Sequence, residues 1–159
     1  MTGLVQSGNI TPGHIATWVT DGYLQDGGPP IGPSEIVIAR LLSANFNTIN
    51  DQAIPLPSNI VKINFTRIIV TNASLSLTTA QGGFYPQPSK AGTALVASGQ
   101  AYSALTGASV LMNPTLTSGA NTTLYTSSNL TNFSVYFSLS IAQGVAAVAD
   151  IYLCGIILQ

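Results

Sequence analysis

The chain has 159 residues, enough for one domain with a substantial core and too few for two comfortable ones. Only 6% of them are charged, against about a quarter in ordinary soluble domains, and the net charge of −1 offers no basic field to recruit nucleic acid. A hydrophobic share of 46% excludes a disordered chain, and a surface this neutral is expected to be covered by copies of itself or by a larger assembly.

Residues 1–34 read as an extended arm. Gly8, Gly13, Gly22, Gly27, Gly28 and Gly32 alternate with Pro12, Pro29, Pro30 and Pro33, and no helical periodicity is present. Ile15 to Thr20 is a short β-prone run, Asp21-Gly22 a turn, and Tyr23-Leu24-Gln25 the returning strand. So small a ribbon is not stable alone, so the arm must dock. His14, Trp18, Asp21, Tyr23, Leu24 and Asp26 are its candidate docking residues.

Residues 35–159 read as an all-β domain, a β-sandwich or jelly-roll-like antiparallel fold. Ile36 to Leu42 is a strand by composition, although periodicity alone leaves a short helix open. Asn45 to Asp51 is turn-rich, and Pro55 and Pro57 confine the segment 53–57 to a sheet edge because neither donates a hydrogen bond. Val61, Ile63 and Phe65 alternate with polar residues; at Arg67 the apolar set shifts to Ile68 and Val70, which predicts a bulge or a strand crossing between sheets. Phe84-Tyr85 starts a further strand that Pro86 and Pro88 hold at an edge. Short strands are expected at 93–97 and 110–113, one helical turn at 102–107, and a Thr-rich strand at 116–125.

The segment 132–158 looks central. Phe133, Val135, Phe137, Leu139 and Ile141 alternate with Ser134, Tyr136, Ser138 and Ser140, the pattern of a strand with one buried and one wetter face. Gln143-Gly144 interrupts it, and 149–158 is apolar on both faces apart from Asp150. A β-hairpin is the expectation, its last strand packing the sandwich interior on one side and a second sheet or a sister subunit on the other. Ser76–Gly82 also matches Ser138–Gly144 at five of seven places, consistent either with a shared hairpin corner or with coincidence in a Ser/Thr/Ala/Gly-rich chain.

Little points to chemistry. The only His is His14, and the only thiol, Cys154, sits inside an apolar strand where an inert structural role is expected. One cysteine permits no intramolecular disulfide, which fits folding in a reducing compartment. Metal-ligand spacing and phosphate-loop motifs are absent, so no metal and no cofactor are expected. Asp21 and Asp26 are better read as turn formers than as a glycosidase pair, and no enzymatic activity is expected. No secretory signal and no transmembrane helix are read from the sequence. Asp150, a carboxylate in an apolar strand, needs a partner; Arg40 or Arg67 is the expected one, in a structural ion pair.

A resemblance adds to this reading. The segment 12–28, Pro-Gly-His-Ile-Ala-Thr-Trp-Val-Thr-Asp-Gly-Tyr-Leu-Gln-Asp-Gly-Gly, resembles the start of head-fibre and related virion proteins of tailed bacteriophages. Residues 47–54, 81–85, 90–94 and 149–152 are similar to words in phage-encoded β-sandwich proteins. The resemblance implies a capsid decoration (cement) or head-fibre protein: a homotrimer made in the host cytoplasm, bound through its arm to the major capsid protein on the virion surface, with no nucleic acid or membrane partner. The alternative it leaves open is a tail-fibre or receptor-binding module for host surface carbohydrate.

Overall fold

The computed structural model describes residues 35–58, 60 and 62–158 in full, together with the backbone of three short strands in the first 34 residues. The chain divides into two compact units, Met1–Ser34 and Glu35–Gln159. In the first, β1 (Val5–Gln6), β2 (Ala16–Trp18) and β3 (Tyr23–Asp26) form a small sheet in the order β1-β3-β2. β1 runs parallel and β2 antiparallel to β3.

The second unit is an all-β antiparallel sandwich. Its strands are β4 (Ile36–Asn45), β5 (Gln52–Pro55), β6 (Lys62–Thr71), β7 (Gln81–Tyr85), β8 (Leu111–Met112), β9 (Ser134–Ile141) and β10 (Val148–Leu158). They form two sheets, β4-β10-β6-β8 and β5-β9-β7. Segment 94–96 extends the second sheet beyond β7: the Phe84 N–H donates to the Val96 carbonyl at 3.1 Å and the Leu95 N–H to the Phe84 carbonyl at 2.8 Å. With that segment counted, first pairs with last, second with next-to-last, and so on inward. This is a long hairpin rolled into two facing sheets, the connectivity of a jelly roll. The inner faces meet in one core, where Phe46, Phe84, Tyr102 and Phe137 pack with centroids 5.0 to 6.0 Å apart.

Several expectations hold at residue level. β4 is a strand throughout, not a helix. Pro55 closes β5 at a sheet edge. The apolar switch on β6 is a bulge: Cys154 faces Arg67 but Gly155 faces Phe65, leaving Thr66 as the extra residue, and Ile63, Phe65, Ile68 and Val70 are all fully buried. Val61 lies outside the described residues.

Others are corrected. β9 and β10 do not form a hairpin; they belong to different sheets, and residues 142–147 carry the chain across the sandwich. The face of β9 expected to be wet is buried at Ser134, Tyr136 and Ser138. Loops roof it and accept its hydroxyls: Ser138 Oγ donates to the Ile49 carbonyl at 3.4 Å and Tyr136 Oη to that of Thr131 at 3.2 Å. Residues 116–125 form turns with single bridges at Leu116 and Tyr125, because Thr122 and Thr123 hydroxyls donate locally to the Gly119 carbonyl instead of leaving the backbone to a ladder. Residues 102–107 hold one tight turn, Leu105 N–H to Tyr102 carbonyl at 2.9 Å. The repeated words at 76–82 and 138–144 are not two copies of one corner, since the first is irregular where the second is strand.

Instead the two words grip each other. Gln143, 9% exposed at the crossing, accepts at Oε1 from the Thr79 and Ala80 N–H groups, each at 3.2 Å, and donates through Nε2 to the Ser76 carbonyl at 3.1 Å. Its own N–H donates to the Phe46 carbonyl at 2.8 Å. Gln143→Leu removes the side-chain partners of three backbone groups at once. An unsatisfied buried group costs about 1–3 kcal/mol, so the loss should reach roughly 3 kcal/mol or more. In thermal melts this is a fall in Tm of about 6–12 °C; a shift within 2 °C of the parent's would refute the clamp.

Candidate functional site

The register of the four-stranded sheet decides which residues face outward, because directly opposed residues share a face. Ile151 and Leu153, opposite Leu41 and Ala39 on one side and Val70 and Ile68 on the other, point into the core. The outward rows therefore hold Tyr152 between Arg40 and Ile69, and Cys154 between Val37 and Arg67. Beyond them lie Ile156 beside Asn64, Leu158 beside Lys62, and Leu111 beside Thr71. Val37 is 55% exposed and Leu42 49%. This is a broad face on which apolar residues alternate with the charged Arg40, Lys62 and Arg67, in contrast to the loop-roofed outer face of β9.

Asp150 lies at the end of that face, and its partner differs from the expectation. Neither Arg40 nor Arg67 pairs with it. Opposite Asp150, β4 uses two residues, Leu42 and Ser43, since Ala149 faces Ala44 while Ile151 faces Leu41. This bulge places Ser43 at φ 54°, and its freed N–H donates to Asp150 Oδ1 at 2.8 Å. Asp150 Oδ2 accepts from Asn72 Nδ2 at 2.9 Å, and Asn72, at φ 55°, turns the chain out of β6. One carboxylate thus holds two left-handed backbone positions, each of which is costly for a residue with a Cβ.

Arg67 pairs instead with Glu35. Arg67 Nε lies 2.6 Å from Glu35 Oε1, and Thr66 Oγ1 donates to Oε2 at 2.6 Å. The pair is about half exposed and worth little by itself. Its place matters more, because Cys154 lies beside it, 2% exposed. Burial pushes the Cys154 thiol above its ordinary value and Glu35 adds to the effect, while the Arg67 guanidinium pulls the other way. A thiol so placed is a packing group, not a nucleophile.

Among the described residues no cluster of three His, Cys, Asp or Glu side chains gathers, and no helix is long and apolar enough to cross a membrane. Of the candidate docking residues, His14 and Asp21 lie outside the described residues; Trp18 lies on β2 and Tyr23, Leu24 and Asp26 on β3, described by backbone alone. A cleft of about 280 Å³ lies between loops 86–93 and 118–129, lined in part by Gln87, Thr93, Ser118, Thr123 and Asn129 and by no ionisable group except the Tyr125 phenol, which burial pushes up. Sequence reasoning missed Glu35, Ser43, Asn72 and the clamp of Gln143. Only the last left a signal, as the residue that interrupts the alternation before the final strand.

Searches against protein-family models, curated proteins and solved structures return no match to this chain.

Two outcomes follow from this geometry. Asp150→Ala should cost about 1–3 kcal/mol, because a charge-assisted acceptor of two hydrogen bonds is lost; Asp150→Asn, which keeps one acceptor oxygen, should cost less. Equal unfolding midpoints for all three chains in denaturant would rule this out. Cys154 should resist thiol labelling at pH 8 in the folded chain and react fully once guanidinium unfolds it; rapid labelling of the folded chain would show the thiol to be accessible.

Proposed function

We propose that this chain is a virion structural protein that decorates or stabilises the head of a tailed bacteriophage. In this reading residues 1–34 seat it on the major capsid protein, it assembles with copies of itself, and threefold closure is the arrangement its sequence resemblance implies. The observation that carries the proposal is the jelly-roll sandwich itself. One of its sheets is roofed by loops and the other leaves Val37, Leu42 and Leu111 exposed, on a chain of low charge. Such a body suits stacking in an assembly better than free diffusion. The small sheet of the first 34 residues supports a docking role, since main-chain pairing at a sheet edge is a common way to seat an arm on a partner. No enzymatic role is part of the proposal.

The cleft between loops 86–93 and 118–129 favours a second reading. Its amide and hydroxyl lining matches a neutral sugar, as a receptor-binding module for host surface carbohydrate would need.

The two readings separate cleanly. Purified full-length protein should bind phage heads that lack it, and a chain deleted for residues 1–34 should stay soluble and folded while losing that binding. Decoration retained by the deleted chain would sink the assignment of the arm. Binding to a glycan array, with localisation to the tail instead of the head, would replace the first reading by the second.

A further inference from the structure

We infer that the outer face of the sheet β4-β10-β6-β8 is where copies of this chain meet one another, an inference that deepens the self-assembly in the proposed function and rests on it. The face is large enough. Its three long strands have 10, 11 and 10 residues. At about 3.3 Å per residue and about 4.8 Å between strands they present of the order of 500 Å² in projection. Side-chain relief raises the accessible area above that figure, toward the about 800 Å² per partner of a stable interface. Its chemistry also suits burial. Val37, Leu42, Ile69, Tyr152 and Leu111 spread across it, and Arg67 is already neutralised within the chain by its ion pair with Glu35.

The remaining charges on this face point to a second copy as its occupant. Arg40, exposed beside Tyr152, makes no ion pair with any described residue. One step along the same strand direction, Asp150 receives two neutral donors and no cation. A carboxylate has about four acceptor sites, so two remain. Each copy therefore brings to the face Arg40, Lys62 and Asp150, none of which makes an ion pair with a described residue, and a neighbour of the same sequence supplies a cation for Asp150 and an anion for Arg40. One edge of the sheet is guarded against indefinite growth: β4 is bulged near both ends, at Ile38 and where Leu42 and Ser43 together face Asp150, which blunts edge-to-edge pairing there.

Light scattering coupled to size exclusion on the full chain tests this. The parent should elute at two or three times the 16.4 kDa of one chain. The double variant Val37→Glu, Leu42→Glu should fall to that single mass, a two- to threefold drop, with its circular dichroism unchanged. Arg40→Glu should weaken association at least tenfold at low salt. Should the double variant fail to fold, Leu111→Glu, at the far edge of the same face, is expected to give the same drop. A parent that is monomeric at 50 µM on the order of interface affinities, or folded variants that keep the parent mass, would overturn the inference. Variants that stay associated but no longer decorate heads would assign the face to the capsid and also overturn it. Association lost in these variants, together with a parent that never decorates heads, would leave the inference standing and remove the proposed function instead.

Discussion

The sandwich depends on the crossing between β9 and β10. At that point the chain must leave one sheet and enter the other, and its backbone groups lose the partners a ladder would give them. Gln143 supplies replacements from a single side chain, joining the 76–80 segment to the crossing while its backbone ties to Phe46. The Phe46 N–H in turn donates to the Ala147 carbonyl at 2.8 Å, so the crossing is held at both ends. Phe46 then carries the same constraint into the core through its contacts with Tyr102 and Phe137. A buried polar side chain is worth its desolvation only when fully satisfied, and here it is satisfied by the strand-to-strand transition that needed it.

The division of labour between the two sheets follows from how each outer face is finished. On β9, small hydroxyl side chains fit beneath loops that accept their protons, so the sheet is closed off within the chain. On β10 the outward residues are larger and apolar, no described loop covers the whole of them, and the polar members are either paired locally or held at the ends of strands. One outer face is thereby roofed by its own loops, while no described loop covers the whole of the other.

What could be read from the sequence was local. The shift of apolar residues at Arg67 located a bulge, and Pro55 located an edge, because each is a property of a few neighbouring residues. Alternation along 133–141 identified a strand but said nothing of which sheet would receive the next one, so the hairpin was misplaced. Ser134 and Ser138 looked wet because hydroxyls usually are; loops distant in sequence decided otherwise. A carboxylate in an apolar strand signals that Asp150 needs partners, yet those partners are a backbone N–H freed by a bulge and an asparagine at a left-handed turn. Neither is visible until the register is known. The threonines of 116–125 favoured a strand by composition and formed turns through their own hydroxyls. The open outer face was legible in part, as a run apolar on both sides.

The rolled-hairpin connectivity also sets a timetable. β10 sits between β4 and β6 and pairs with both, although Gly155 is separated from its partner Ile36 by nearly the whole sandwich. Until β10 is available, β4 and β6 lack the strand that joins them, and their apolar residues have nothing to close against. Contacts so distant along the chain make folding slow, and unpaired strands are prone to wrong association while they wait. Of the strands of this sandwich the last in chain order is therefore the one that joins β4 to β6, so that sheet closes only once β10 is available. A premature stop ahead of β10 would leave two strands without their shared neighbour.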